Sequence, residues 1–204
     1  MASTDSPKRR SSRTLRQRFA FTVYNFFAKY LPSQGWSRWP ARRLWGRFRG
    51  VLARQFLDYA GPKITIEQGA TFGKGDGIRL GNRSGLGRNC IVQSPTTIGD
   101  DVMMGPDVLI FTNSHSFFST EVSMIDQGYT QPVEVIIGND VMINARAIIM
   151  PGTKIGKGVV IAAGAVVRGK IPDYSIVMGN PGKVIGRRSH AEENPGPNSI
   201  ATNE

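Results

Sequence analysis

Large aliphatic side chains return every six residues along most of this chain, at Leu80, Leu86, Val92, Ile98, Met104 and Ile110, then in a shifted register at Ile137, Ile143, Ile149, Ile155, Ile161 and Val167. Two positions ahead of them stand small or β-branched residues: Ser84, Cys90, Thr96, Val102 and Val108 in the first run, and Val135, Val141, Ala147, Thr153, Val159 and Ala165 in the second. Glycine, asparagine or aspartate follows many of the aliphatics, as in IGDD, IGND and IGKG, which is turn chemistry. An α-helix cannot use this period, because its apolar positions would drift around the surface and a glycine in each unit is costly. Short strands joined by tight turns can. Three hexads then make a coil of eighteen residues, coils stack at about 4.8 Å, and Leu80 lies under Ile98 and Ile137 under Ile155. The expected fold is all-β, a triangular parallel β-helix. A weaker copy at Ile64, Ile66, Ala70 and Phe72 starts the repeat near residue 64, with GKGDG inserting two extra residues.

After Ile110 the next inward aliphatic is due at position 116, yet the pattern resumes only at Ile137. About 21 residues are therefore extruded between coils, as a loop over residues 112–134. A loop this long in a compact solenoid is usually functional or disordered, and its aromatics, Met124 and Ile125 favour order. His115 sits at its base; the other histidine, His190, lies in a polar tail.

Ahead of the repeats, residues 13–57 alternate basic residues with aromatics and hold all three tryptophans. Residues 13–60 read as an amphipathic helical segment, two helices broken around Leu31 to Gly35 and Pro40, each with an apolar and an Arg-rich face. The formal charge of +11 resides here: residues 1–60 hold 13 Lys/Arg against Asp5 and Asp58, and the remainder balances 13 against 13. Tryptophan with arginine suits an anionic membrane interface. The plainer alternative is that the apolar faces cap the β-helix, and both can hold together. No nucleic-acid motif accompanies the charge, so no nucleic-acid partner is expected. With Cys90 alone no intrachain disulfide can form, and no apolar run reaches the roughly 18 residues of a membrane span. A cleaved signal peptide is not expected. Residues 1–12 and 189–204 read as disordered tails, and 61–188 as one β-helix domain.

These repeats, with IGDDVMMGPDVLIFTNSH and NPGKVIGRR, resemble the hexapeptide-repeat acyltransferases, in particular the sugar O-acetyltransferase branch of galactoside, maltose and polysaccharide-modifying enzymes. The resemblance covers roughly residues 60–188 and implies a left-handed β-helix and a homotrimer. It implies His115 as the catalytic base, since in that branch a histidine ends the coil that starts with an IGD-type turn. A sugar hydroxyl is a poor nucleophile, and an imidazole, with an ordinary pKa of roughly 6.5, can take its proton as it attacks a thioester. The donor implied is acetyl-CoA, with direct transfer in a ternary complex and no metal. Cys90, the rival nucleophile, lies in the small inward phase of the repeat.

The resemblance further places acceptor contacts at Asn113, where many polysaccharide-modifying members carry an additional histidine, and at Gln127, where the galactoside branch has a glutamate. Glu121, Asp126 and Glu134 are the acids available to orient the imidazole, and Glu121 also joins the acceptor set. Coenzyme contacts fall at Ala145, Ala163, Arg168, Lys183 and Arg187, with Lys170 a further cation; basic side chains suit its phosphates. Met142 and Asn144 depart from the family's V-W-I-G, and Gly85 from the acceptor-side asparagine of the galactoside branch. The expected activity is O-acetylation of a saccharide in the cytoplasm, peripheral at the inner face of the cell membrane. An amino-sugar N-acetyltransferase and a catalytically silent scaffold are the alternatives.

Overall fold

The computed structural model describes residues 13–32 and 41–188; the two expected tails lie outside the described residues. The hexads form short parallel strands stacked on three faces. One face carries, in order, Tyr59–Ala60, Ile78–Leu80, Thr96–Ile98, Val135–Ile137, Lys154–Ile155 and Lys170–Ile171. A second carries Met103–Met104, Met142–Ile143, Val160–Ile161 and Ser175–Met178, closed by the antiparallel Lys183–Arg187. The third carries Ile91–Val92, Leu109–Ile110, Ile148–Ile149 and Val166–Val167.

Register follows the repeat. Leu80 pairs with Ile98 and Ile137 with Ile155, eighteen residues along. Ile66 pairs with Leu86, twenty along, as the inserted GKGDG requires. Across the extruded loop, Ile98 pairs with Ile137, thirty-nine along, so the extra twenty-one leave the stack undisturbed. The aliphatic column is buried throughout except for Met104, which is half-buried, and the small residues ahead of it are buried as well.

Two corner devices hold the coils in register. The left-handed residue of many turns stands just before the small inward residue: Asn89 before Cys90, Asp107 before Val108 and Gly164 before Ala165. The glycine of IGD serves a different need. At Gly81 a Cβ would stand 2.2 Å from the Gly99 carbonyl oxygen one coil on, so the corner closes only without a side chain. Beside that glycine column, a side chain on one coil accepts from the backbone of the coil before it: Asp100 from Asn82 N–H (2.6 Å), Asn139 from Asp100 N–H (2.9 Å) and Asp173 from Lys157 N–H (2.9 Å). The ladder satisfies donors that the strands leave over.

Two helices, α1 (Leu15–Phe26) and α2 (Ala41–Ala53), cover the open end of the first coil. Thr14 starts α1 with a capping box closed by Gln17. Tyr24 donates to the Ala70 carbonyl (2.7 Å) and packs with Phe56 and Phe72. The expected division into apolar and Arg-rich faces is not clean. Arg49 is fully buried on the inner side of α2, donating to the carbonyls of Ile66 (2.6 Å) and Leu31 (2.9 Å), because the end of a β-stack leaves acceptors that a guanidinium fork can reach. Conversely, Leu15, Phe19 and Phe26 of α1 and Leu44, Phe48 and Val51 of α2 face outward. Among the described residues no helix is long and apolar enough to cross a membrane.

Candidate active site

The loop leaves the solenoid at the edge between the third face and the first. Its base is tied down on both sides. Buried Thr112 donates its N–H to Gln93 Oε1 (3.0 Å) and its hydroxyl to the Ser94 carbonyl (2.6 Å), while its own carbonyl accepts from Val133 N–H (2.7 Å). At the returning end Thr97 donates to the Glu134 carboxylate (2.7 Å). From this base two arms run antiparallel: Thr130 N–H reaches the Ser114 carbonyl and Ser116 N–H the Gly128 carbonyl, both at 2.9 Å.

Between those bonds His115 faces Tyr129 across the arms. Their ring centroids are 4.0 Å apart at 35°, so the phenol ring backs the imidazole while His115 stays exposed to incoming groups. The carboxylate or carbonyl expected beside the imidazole is not found among the described residues: Glu134 is engaged by Thr97, and no hydrogen bond joins His115 to Glu121 or Asp126. Tyr129 had no signal in the hexad pattern. Only the pairing of the two arms brings it to His115.

Asn113 is half-buried beside His115 and lines a groove of about 550 Å³ with Gln93, Ser94 and Lys74 of the coils beneath. Gln127 closes the loop tip. Its carbonyl accepts from Ser119 N–H (3.1 Å), and its amide donates to the carbonyls of Ser119 (2.9 Å) and Val122 (2.7 Å). Glu121 is exposed on that tip. The tip also bares apolar surface, with Phe118 77% and Ile125 83% exposed.

All of the coenzyme candidates but Arg168 lie on other edges. Ala145 and Ala163 stack one coil apart where the second face turns into the third, Gly164 N–H bonding the Ala145 carbonyl (2.9 Å), and Lys183 leaves the turn above them. Asn144 in that turn donates to the Ile161 carbonyl (2.8 Å), so the departure from glycine is absorbed locally. Along the third face that edge is five residues, roughly 16 Å of strand rise, from the edge of His115. Arg168 stands on the His115 edge, two coils above the loop. Arg187 is at the far end of the second face, in a groove with Lys154 and Lys170. One chain therefore sets His115 at a loop base whose Thr112 and Asn113 line a groove, and sets Ala145 and Ala163 on a separate edge.

Cys90 is fully buried, and burial pushes its thiol up to about 11, which keeps it protonated and unreactive. Among the described residues no three His, Cys, Asp or Glu side chains gather where they could hold a metal ion.

The family model described as bacterial transferase hexapeptide (six repeats) matches residues 134–169. The chain is 31% identical over 164 residues to a putative lipopolysaccharide biosynthesis O-acetyl transferase, WbbJ, of Escherichia coli, covering 70% of this chain and 82% of that protein. It is 37% identical over 113 residues to a probable acetyltransferase of Mycobacterium tuberculosis, but that match spans 54% of this chain and only 37% of the relative's length. Among solved structures it resembles a maltose O-acetyltransferase from Clostridium difficile 630, with a TM-score of 0.68, 28% identity, and coverage of 86% of this chain and 87% of that one.

Proposed function

Since this chain belongs to the bacterial hexapeptide-repeat transferases, in their acetyltransferase branch, we propose that it moves an acetyl group from acetyl-CoA to a hydroxyl of a saccharide. The fold is the left-handed β-helix of that family, and the chain is an acyltransferase. The observation that supports His115 as its base is placement: an exposed imidazole, backed by Tyr129, on a tied-down loop base beside a groove. His115 takes the hydroxyl proton as the sugar oxygen attacks the thioester carbonyl; the C–S bond then breaks and the departing thiolate takes that proton. No acyl-enzyme is needed, and buried Cys90 is unsuited to form one.

The partner reading is a homotrimer. His115 and the edge of Ala145 and Ala163 are too far apart within one chain for one small reaction centre, and a neighbour's edge beside the loop brings them together. The bare tip at Phe118 and Ile125 suits such a neighbour. Residues 13–57 serve as a peripheral contact with an anionic membrane, on its cytoplasmic side, where a lipid-linked or polysaccharide acceptor is made.

The test is thiol release from acetyl-CoA with candidate saccharides, the product being treated with mild alkali to separate ester from amide. Replacing His115 by Ala should lower turnover by about 10²–10⁴ without altering the assembly. Undiminished turnover would remove the base from this reading.

A further inference from the structure

From Ser6 to Leu57 the chain holds no acidic residue. Part of this basic stretch encloses a specific concavity. Between the outer side of α2 and the start of the first coil lies a groove of about 450 Å³, floored by Val51, Pro62 and Ile64 and rimmed by Arg47, Arg54 and Lys63. All three cations are exposed, and among the described residues no carboxylate forms an ion pair with any of them. The groove is rigidly backed: α2 approaches the coil so closely that a Cβ on Gly50 would stand 2.8 Å from the Ile64 carbonyl oxygen.

We propose that this groove receives the phosphate headgroup of an anionic phospholipid and so seats the capped end of the solenoid on a bilayer, an inference that rests on the peripheral-contact reading above. Three cations around one hollow, with no ion-pair partner among the described residues, provide the charge and the forked donors a phosphodiester needs. A free phosphate would be held by those groups alone. The groove continues, however, into an outward stripe of Leu44, Phe48 and Val51 at helical spacing, with Leu15 and Phe19 exposed on α1. A bilayer covers such a stripe, whereas a soluble anion leaves it bare. Shallow insertion of apolar side chains with arginines at headgroup depth is how an interfacial helix binds. The site shares no residue with the loop, so docking leaves the acceptor groove free.

The experiment is co-sedimentation of the full chain with vesicles of phosphatidylcholine alone or mixed equally with phosphatidylglycerol. The chain should bind the mixed vesicles, weaken as salt rises, and ignore pure phosphatidylcholine. The variant R47A/R54A/K63A should lose roughly 100-fold in partitioning, since each basic residue near an anionic surface is worth about 1 kcal/mol, with its thermal melt and its acetyl transfer to a soluble acceptor unchanged. F48S/V51S should weaken binding through the apolar stripe. If the triple variant binds like the parent, the groove assignment falls while the membrane contact stands. If the parent ignores phosphatidylglycerol vesicles, both fall. Displacement from vesicles by millimolar inorganic phosphate would overturn the lipid in favour of a soluble anion. Tighter binding to duplex oligonucleotide than to vesicles would overturn it in favour of nucleic acid.

Discussion

Tyr129 changes how His115 is to be understood. With no carboxylate against the imidazole among the described residues, the ring plane is set by stacking at 4.0 Å. Under the function proposed above, Tyr129 is therefore a positioning residue, and its ring matters more than its hydroxyl. Replacing it by Phe should leave kcat near the parent value, whereas Ala should lower kcat about tenfold through misorientation with little change in melting temperature; equal loss in both would move the role to the phenol oxygen. Cys90 offers a residue-scale check of the core. Its thiol is raised from 9.0 to about 11 by burial, so the folded state favours the neutral form more than the unfolded state does. Its contribution to stability is thus complete below about pH 9 and is lost as pH climbs toward 11. Alkylation with iodoacetamide at pH 8 should be slow in the folded protein and fast in denaturant; rapid labelling of the native state would contradict the burial.

At the scale of elements, the helical cap depends on Arg49. Its guanidinium supplies three backbone carbonyls, those of Ile66, Leu31 and Ala28, and lies 4.0 Å from Glu67. Replacing it by Ala leaves those acceptors unpaired under a closed cap and should cost about 3 kcal/mol or more, read as a lower melting temperature. Lysine should rescue little, having no fork to span them. The sequence shows the cap only faintly, because a buried arginine and a solvated one look alike in a basic, aromatic stretch. The solenoid strands, by contrast, were legible down to their register, since a column of aliphatics eighteen residues apart admits one stacking. Even the shift at GKGDG followed. What stayed hidden was the glycine and Asn/Asp ladder: Gly81 and Asn139 looked like ordinary turn residues, and only the stacked corners reveal them as contacts between coils. The loop's inner pairing was also hidden, because SHS and GYT carry no alternation of apolar and polar side chains.

At the scale of the whole molecule, the separation of His115 from the edge of Ala145 and Ala163 makes a prediction for the proposed function that no single variant can make. His115→Ala and the bulky Ala163→Trp should each be inactive. If one subunit's His115 works against its neighbour's Ala163, randomly mixed trimers should recover about a quarter of parent activity, since that share of interfaces pairs two intact halves. Mixed trimers that stay inactive would put both halves in the same subunit. Site assembly of this kind was illegible in one chain, because sequence spacing says nothing about which edge of a neighbour meets the loop.

The thirty-nine-residue step between Ile98 and Ile137 also bears on time. Closing that contact costs about 0.7 kcal/mol more in chain entropy than closing an eighteen-residue coil. The uninterrupted coils beyond Val135 therefore have the cheaper nucleus, and a stack whose units contact only their neighbours can grow from wherever it starts. Folding should begin there and travel back toward the amino-terminal cap, with the loop's own edge settling afterwards. In hydrogen exchange the amides of Ile148 and Val160 should outlast those of Ser116 and Thr130. The edge that carries His115 would then be the part of the solenoid that forms late and opens early.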